Sequence, residues 1–135
     1  MISERRAFAA NKESVSGMME FIDGLMVDFS AKTSYDIRLA CEEILVNITS
    51  YAYPDGDGQL VIFWENDTGR RKLRIEFKDS GIPFNPLLID KPKLDVPIAE
   101  RKIGGLGIMM VRKLMDEVQY EYVEGENILT VFKEY

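Results

Sequence analysis

The sequence predicts an α+β domain in which helices pack on one face of a sheet. Three observations carry this. Apolar residues recur in steps of three and four from Val15 to Ile48, and they switch to alternation from Leu60 onward. The helices and strands so defined do not alternate strictly, as they would in a parallel βαβ fold. At 135 residues and 46% apolar composition, the chain has the size of one domain and enough apolar volume for one core.

Taken in order, Met1 to Ala10 carry a weak apolar pattern that suits an edge strand. From Val15, the residues Met18, Met19, Ile22, Leu25, Met26 and Phe29 mark one face of a helix, with Asn11 or Ser14 placed to cap it. The stripe of Met18, Met19 and Met26 suits a core and also leaves a homodimer contact open. A second helix starts near Ser34 as its cap and buries Ile37, Ala40, Cys41, Ile44, Leu45 and Ile48. It ends before Tyr53–Gly58, a stretch dense in turn formers. Leu60–Glu65 and Lys72–Lys78 then read as a hairpin turning at Asn66–Gly69. In its second arm Leu73, Ile75 and Phe77 alternate with Arg74, Glu76 and Lys78, so one face is buried and one is wet.

Residues 82–103 hold Pro83, Pro86, Pro92 and Pro97 and show no period, the pattern of a functional lid or a disordered segment. After Gly104-Gly105-Leu106-Gly107 a third helix turns Ile108, Val111, Leu114 and Met115 inward. Val118–Val123 and Ile128–Phe132 are the last strands, meeting across Glu124–Asn127.

Composition excludes several chemistries. With no histidine and only Cys41, the chain holds no Ser–His–Asp triad, no Cys–His pair, no phosphohistidine and no His-ligated zinc. An intrachain disulfide is excluded too. The net charge of −6 disfavours a nucleic-acid backbone or an anionic membrane as main partner. One cysteine and no long apolar run fit a cytoplasmic location.

Three short patterns can carry chemistry, and each has an ordinary structural reading beside the functional one. Glu43 and Asn47 are four apart on the second helix, hence on one face. A carboxylate there can accept a proton and a carboxamide oxygen can ligate Mg²⁺; the same spacing also describes a solvated helix face. Asp79-Ser80-Gly81-Ile82-Pro83-Phe84 leaves a strand end, where Asp79 can accept from an exocyclic amine and Gly81 lets a ring approach the backbone. It also reads as a plain turn. Gly104–Gly107 precede a helix, so their amides can hold phosphate oxygens or act as a hinge. Arg101 is an always-charged donor within reach of a terminal phosphate, or a solvated lid charge. Neither a Walker motif nor a dinucleotide fingerprint is present. Cys41 on an apolar face reads as inert packing, and Arg70-Arg71-Lys72 as a solvated hairpin tip.

The order of these patterns resembles a known family. Glu43-Ile44-Leu45-Val46-Asn47 is similar to the N box of the GHKL ATPase superfamily, and Asp79–Phe84 and Gly104–Ile108 to its two glycine boxes. The short chain and the Glu100-Arg101-Lys102 approach resemble the anti-sigma-factor serine/threonine kinase branch. The resemblance implies a Bergerat-type two-layer α/β sandwich with a mixed sheet, helices on one face and ATP between helices and lid. It implies Glu43 as general base, Asn47 as Mg²⁺ ligand, Asp79 on the adenine amine and Gly81 beneath the ring. Gly105 and Gly107 would face the phosphates, Arg101 the γ-phosphate, and Thr130 would place a hydroxyl near adenine. The implied partners are a STAS-type anti-anti-sigma protein, as phosphate acceptor, and a sigma factor. A nucleotide-gated module that sequesters a partner without catalysis is the alternative. Ser50 departs from the family, standing where many relatives carry a histidine, so any role of that histidine is missing. The chain also lacks the phosphoacceptor domain of a sensor histidine kinase.

Overall fold

Alternating strands and helices with three-to-four periodicity assemble into two layers in the computed structural model, which describes residues 1–88 and 105–135. The elements are β1 (Ile2–Ala9), α1 (Val15–Leu25), α2 (Ala31–Tyr51), β2 (Gln59–Asp67), β3 (Lys72–Asp79), α3 (Gly105–Leu114), β4 (Glu117–Val123) and β5 (Glu126–Glu134). The strands form one sheet in the order β1-β2-β3-β5-β4.

The sheet is antiparallel at every described pairing, not mixed as expected. The reason is the pair of helices between β1 and β2. A single crossover helix returns the chain parallel; two helices bring it back to the end it left. Ala9 therefore faces Gln59, and the Ala10 amide donates to the Gly58 carbonyl at 2.9 Å. β1 is the expected edge strand and stays largely exposed.

Helix boundaries moved where local capping decided them. Asn11 Oδ1 accepts from the Ser14 amide at 2.9 Å and caps the short 3-10 turn that leads into α1. Met18 and Met19 are buried in the core, which settles their side of the stripe. α1 stops at Leu25, before Met26 and Phe29, and the chain turns through Asp28 at φ +69°. Phe29 still packs inward, with its ring 4.5 Å from that of Tyr135. Ser30, not Ser34, caps α2, its hydroxyl accepting from the Thr33 amide at 3.1 Å. Either serine suits the role chemically; the one at the boundary wins. Gly105 and Gly107 lie inside the first turn of α3 rather than ahead of it.

The helix layer buries Ile22, Ile37, Leu45 and Val111 against Leu60, Ile62, Ile75 and Phe77 of the sheet. Cys41 is fully buried there, and burial pushes its thiol up to about 12, so it is inert packing as expected. A charge cluster around the buried Asp36 joins the layers. Asp36, 7% exposed, lies 3.0 Å from Lys32 and 3.8 Å from Lys133, and Lys133 also donates to the Leu114 carbonyl at 2.6 Å. At the hairpin tip Arg70 pairs with Asp67 and Lys72 with Glu134, all at exposed or half-buried positions. Among the described residues no helix is long and apolar enough to cross a membrane.

One junction holds the end of α2 against the end of β3. The Ile82 amide donates to the Ala52 carbonyl at 2.9 Å. The Tyr53 hydroxyl donates to the Gln59 carbonyl at 2.6 Å and accepts from the Ser80 amide at 2.7 Å. Gly81 is so close to α2 that a Cβ would stand 2.1 Å from the Ala52 oxygen. The methyl of Gly81→Ala can enter only if the helix end leaves the strand end. We expect it to cost about 2 kcal/mol or more in denaturant unfolding. Gly17→Ala in α1, where a Cβ meets open space, is expected to add about 0.5–1 kcal/mol instead. Equal effects of the two substitutions in the same titration would remove the junction's special status.

Candidate functional site

Glu43, Asn47 and Tyr51 follow one another every four residues along α2 and line one wall of a cleft. Ile44 and Ile48 sit beside them on that wall, and Phe77 and Leu129 of the sheet form the floor. Ile108 and Val111 of α3 close the far side. The loop after β3 contributes Ile82, Phe84 and Pro86, and the closed end holds Asp79, Tyr120 and Asn127. The walls are thus mostly apolar, with a few convergent polar groups, which is the usual make-up of a small-ligand site.

Asp79 reaches the cleft because β3 alternates. Leu73, Ile75, Phe77 and Asp79 all point at the helices, and the last of these is polar. It is only 5% exposed. Burial holds its carboxyl above the usual range, while donors from Asn127 and the Gly81 amide pull it back and Glu126 pushes it further up. Those donors reach Oδ1 at 3.0 Å and 2.9 Å. Both fall on the same oxygen, and no donor described among these residues falls on Oδ2, which can take an incoming N–H. Glu43 and Asn47 are half-buried on the opposite wall. A hydrogen-bond acceptor at the closed end and an acid–amide pair on the helix can seat a flat polar heterocycle with its substituents running along α2.

Of the expected residues, Glu43, Asn47 and Asp79 are brought together. Gly81 adjoins them, but its lack of a side chain is already required by the Ala52 contact. Gly105 and Gly107 occupy the first turn of α3, where backbone N–H groups have no acceptor within the helix, and Ile108 just beyond them lines the cleft. Arg101 and Gly104 lie outside the described residues.

Thr130 is a correction. It pairs with Glu76 of β3 and Gln119 of β4, while its neighbour Leu129 lines the cleft. Strand alternation therefore turns Thr130 to the opposite face of the sheet. The polar residue of β5 that does reach Asp79 is Asn127, read from the sequence as part of a turn. β5 begins at Glu126, one residue before it, and Glu124 and Gly125, both with positive φ, make the turn. Alternation back from Val131 and Leu129 was the available signal. Tyr51 was also missed, although it continues the Glu43–Asn47 spacing. Its ring stacks on Phe84, with centroids 6.1 Å apart and planes at 29°.

Comparison with known proteins identifies the family and the fold. The family model of the histidine kinase-like ATPase domain matches residues 8–133. The serine/threonine-protein kinase BtrW of Bordetella bronchiseptica is 27% identical over 103 residues, covering 76% of this chain and 72% of that protein. The serine-protein kinase RsbW of Bacillus mycoides is 30% identical over 103 residues, covering 70% of this chain; the chain spans 60% of that relative's length. Among solved structures, the RsbU and RsbW domains of a Mycobacterium tuberculosis protein match with a TM-score of 0.67 at 14% identity, over 99% of this chain and 32% of that one. The histidine kinase domain of a blue-light activated kinase from Erythrobacter litoralis matches with a TM-score of 0.58 at 19% identity, over 87% of this chain and 56% of that one. These two likenesses concern the fold alone. With a family model spanning nearly its whole length, the chain belongs to the histidine kinase-like ATPase domain family.

Proposed function

We propose that the chain is an ATP-binding protein kinase that transfers the γ-phosphate to a serine or threonine hydroxyl of a small STAS-type partner. A sigma factor is the second, competing partner in this reading. The observation that carries it is the convergence of Glu43, Asn47 and Asp79, from a helix and a distant strand end, on one cleft. The naming of relatives such as RsbW and BtrW as serine or serine/threonine kinases supports the reaction class.

In this reading Asp79 accepts from the adenine amine, and the apolar walls exclude water from the ring. Asn47 would hold Mg²⁺ through its amide oxygen alongside phosphate oxygens and water, the mixed shell that ion favours. Bound there, Mg²⁺ supplies charge neutralisation on the phosphates. Glu43 takes the proton of the attacking hydroxyl as its oxygen bonds to the γ-phosphorus and ADP departs. Arg101 and the amides at the start of α3 serve the phosphates. Phosphoryl transfer asks for such positioning more than for covalent help, so the absence of histidine from the chain is no obstacle.

Mg-ATP at about 100 times its Kd is expected to stabilise the chain by about 2.7 kcal/mol in thermal unfolding, and no stabilisation at saturation would sink the reading. Glu43→Ala should keep ATP affinity within about threefold yet lower radiolabel transfer to a STAS-type protein by about a hundredfold or more. Undiminished transfer would remove the base assignment. ATP binding without transfer by the unsubstituted chain would favour the nucleotide-gated binding module.

Asp79→Asn should abolish nucleotide-induced stabilisation and raise the melting temperature of the ligand-free protein. The sign follows from the raised carboxyl. Its burial costs nothing below the unfolded-state value, and the cost grows as pH rises through the higher folded-state value. The variant's advantage should therefore be absent at acid pH below the unfolded-state value and full once pH exceeds the folded-state value. A pH-independent difference would contradict it.

A further inference from the structure

The polar end of the cleft contains more than Asp79. Asn127 is 6% exposed, and all its described hydrogen bonds converge on this one place. Its Nδ2 donates to Asp79 Oδ1 at 3.0 Å and to the carbonyls of Ile82 at 2.9 Å and Gly81 at 3.4 Å. Its Oδ1 accepts from the Phe84 amide at 3.1 Å and from the Tyr120 hydroxyl. The chemistry of these neighbours fixes which way the amide faces. Phe84 N–H can only donate, and two carbonyls and a carboxylate can only accept, so a flipped Asn127 would oppose like groups at these four contacts. The side chain has one productive orientation, and that orientation delivers an N–H to Asp79.

We propose that Asn127 is a positioning residue for purine selection. Its amide holds the Asp79 carboxylate as a fixed acceptor for a 6-amino group and ties it to the loop carrying Ile82 and Phe84. This rests on the nucleotide reading above and deepens it.

The logic is a matter of protonation. An ionised Asp79 accepts from the amine of adenine and repels the 6-oxo group of hypoxanthine; a protonated one donates to that oxygen and loses its preference. Burial favours the protonated form, and Asn127 is the side chain that opposes it. The Gly81 amide opposes it too, from the backbone, but among the described residues no other side chain facing Asp79 does so. Glu126 on β5 pushes the same way as burial, and Tyr53 after α2 and Tyr120 on β4 have hydroxyls that are themselves held protonated. Across the cleft α2 presents Glu43 and Asn47, and α3 presents the apolar Ile108 and Val111. Asn127 therefore keeps a buried acid working as a base acceptor at neutral pH.

The test is the ratio of ADP to IDP affinity across pH, measured by calorimetry on the full chain without metal. The unsubstituted chain should prefer ADP throughout. Asn127→Ala should lose about tenfold of that preference at the acid end of the range and recover it at the alkaline end, as expected when the acid limb moves up. Tyr120→Phe, which removes only a donor to the Asn127 oxygen, should move the limb the same way by less, and it serves if Asn127→Ala does not fold. An unchanged ratio overturns the proposal. So does a loss by the same factor at every pH, because a merely structural role would lower affinity uniformly. If the unsubstituted chain binds neither nucleotide, the nucleotide reading itself falls, and this inference with it.

Discussion

The backbone contact between Ala52 and Gly81–Ile82 is the constraint on which the rest of the molecule turns. A helix and a strand end meet there with no side chain between them, and a hydrogen bond from the Ile82 amide to the Ala52 carbonyl closes the gap. The helix so anchored carries Glu43, Asn47 and Tyr51, and the strand so anchored ends in Asp79. Shifting either by an ångström would move the acid–amide pair relative to the carboxylate. Positioning at that precision is what the proposed phosphoryl transfer would demand. Tyr53 reinforces the same junction through its bonds to Ser80 and Gln59, and Gly58 leaves its ring the space to lie there.

A buried carboxyl is costly unless its lone pairs are met, and the cleft is organised around meeting those of Asp79 only in part. One oxygen takes two donors, and the residue lines a cleft whose walls are mostly apolar. In the proposed reading, local stability is given up for a binding position. The same economy explains the neighbourhood: Asn127 satisfies two loop carbonyls, an amide and a hydroxyl while serving the carboxylate, so few polar groups are spent on the closed end. Elsewhere the core is conventional, with apolar helix faces on an apolar sheet face and one paired charge cluster at Asp36.

Much of this was legible in the sequence wherever periodicity or motif spacing spoke. The three helices, both hairpins, the edge strand and the core faces follow from residue spacing, and the Glu43, Asn47 and Asp79 triple follows from motif order. The misreadings share one cause. Ser34 and Ser30 are equivalent as chemistry and differ only in where the helix starts. Thr130 and Asn127 are both polar residues of the last strand; alternation separates their faces, and the register with β3 sets Asn127 opposite Asp79. The sense of β2 against β1 depends on two helices acting as a return rather than a crossover.

The sequence by itself determined the elements, the single core and the set of chemically able residues, because these depend on side-chain type and on spacing along one chain. It also determined what is excluded: without histidine, a Ser–His–Asp triad, a phosphohistidine and a His-ligated zinc are impossible within the chain. Tertiary structure alone decided which able residues meet. Asn127 bonds to Asp79 across 48 positions of chain, and the 2.1 Å that a Gly81 Cβ would leave to the Ala52 oxygen belongs to two elements, not to either one. Such contacts depend on strand register and on how closely two backbones approach, and neither is encoded in any local run of residues.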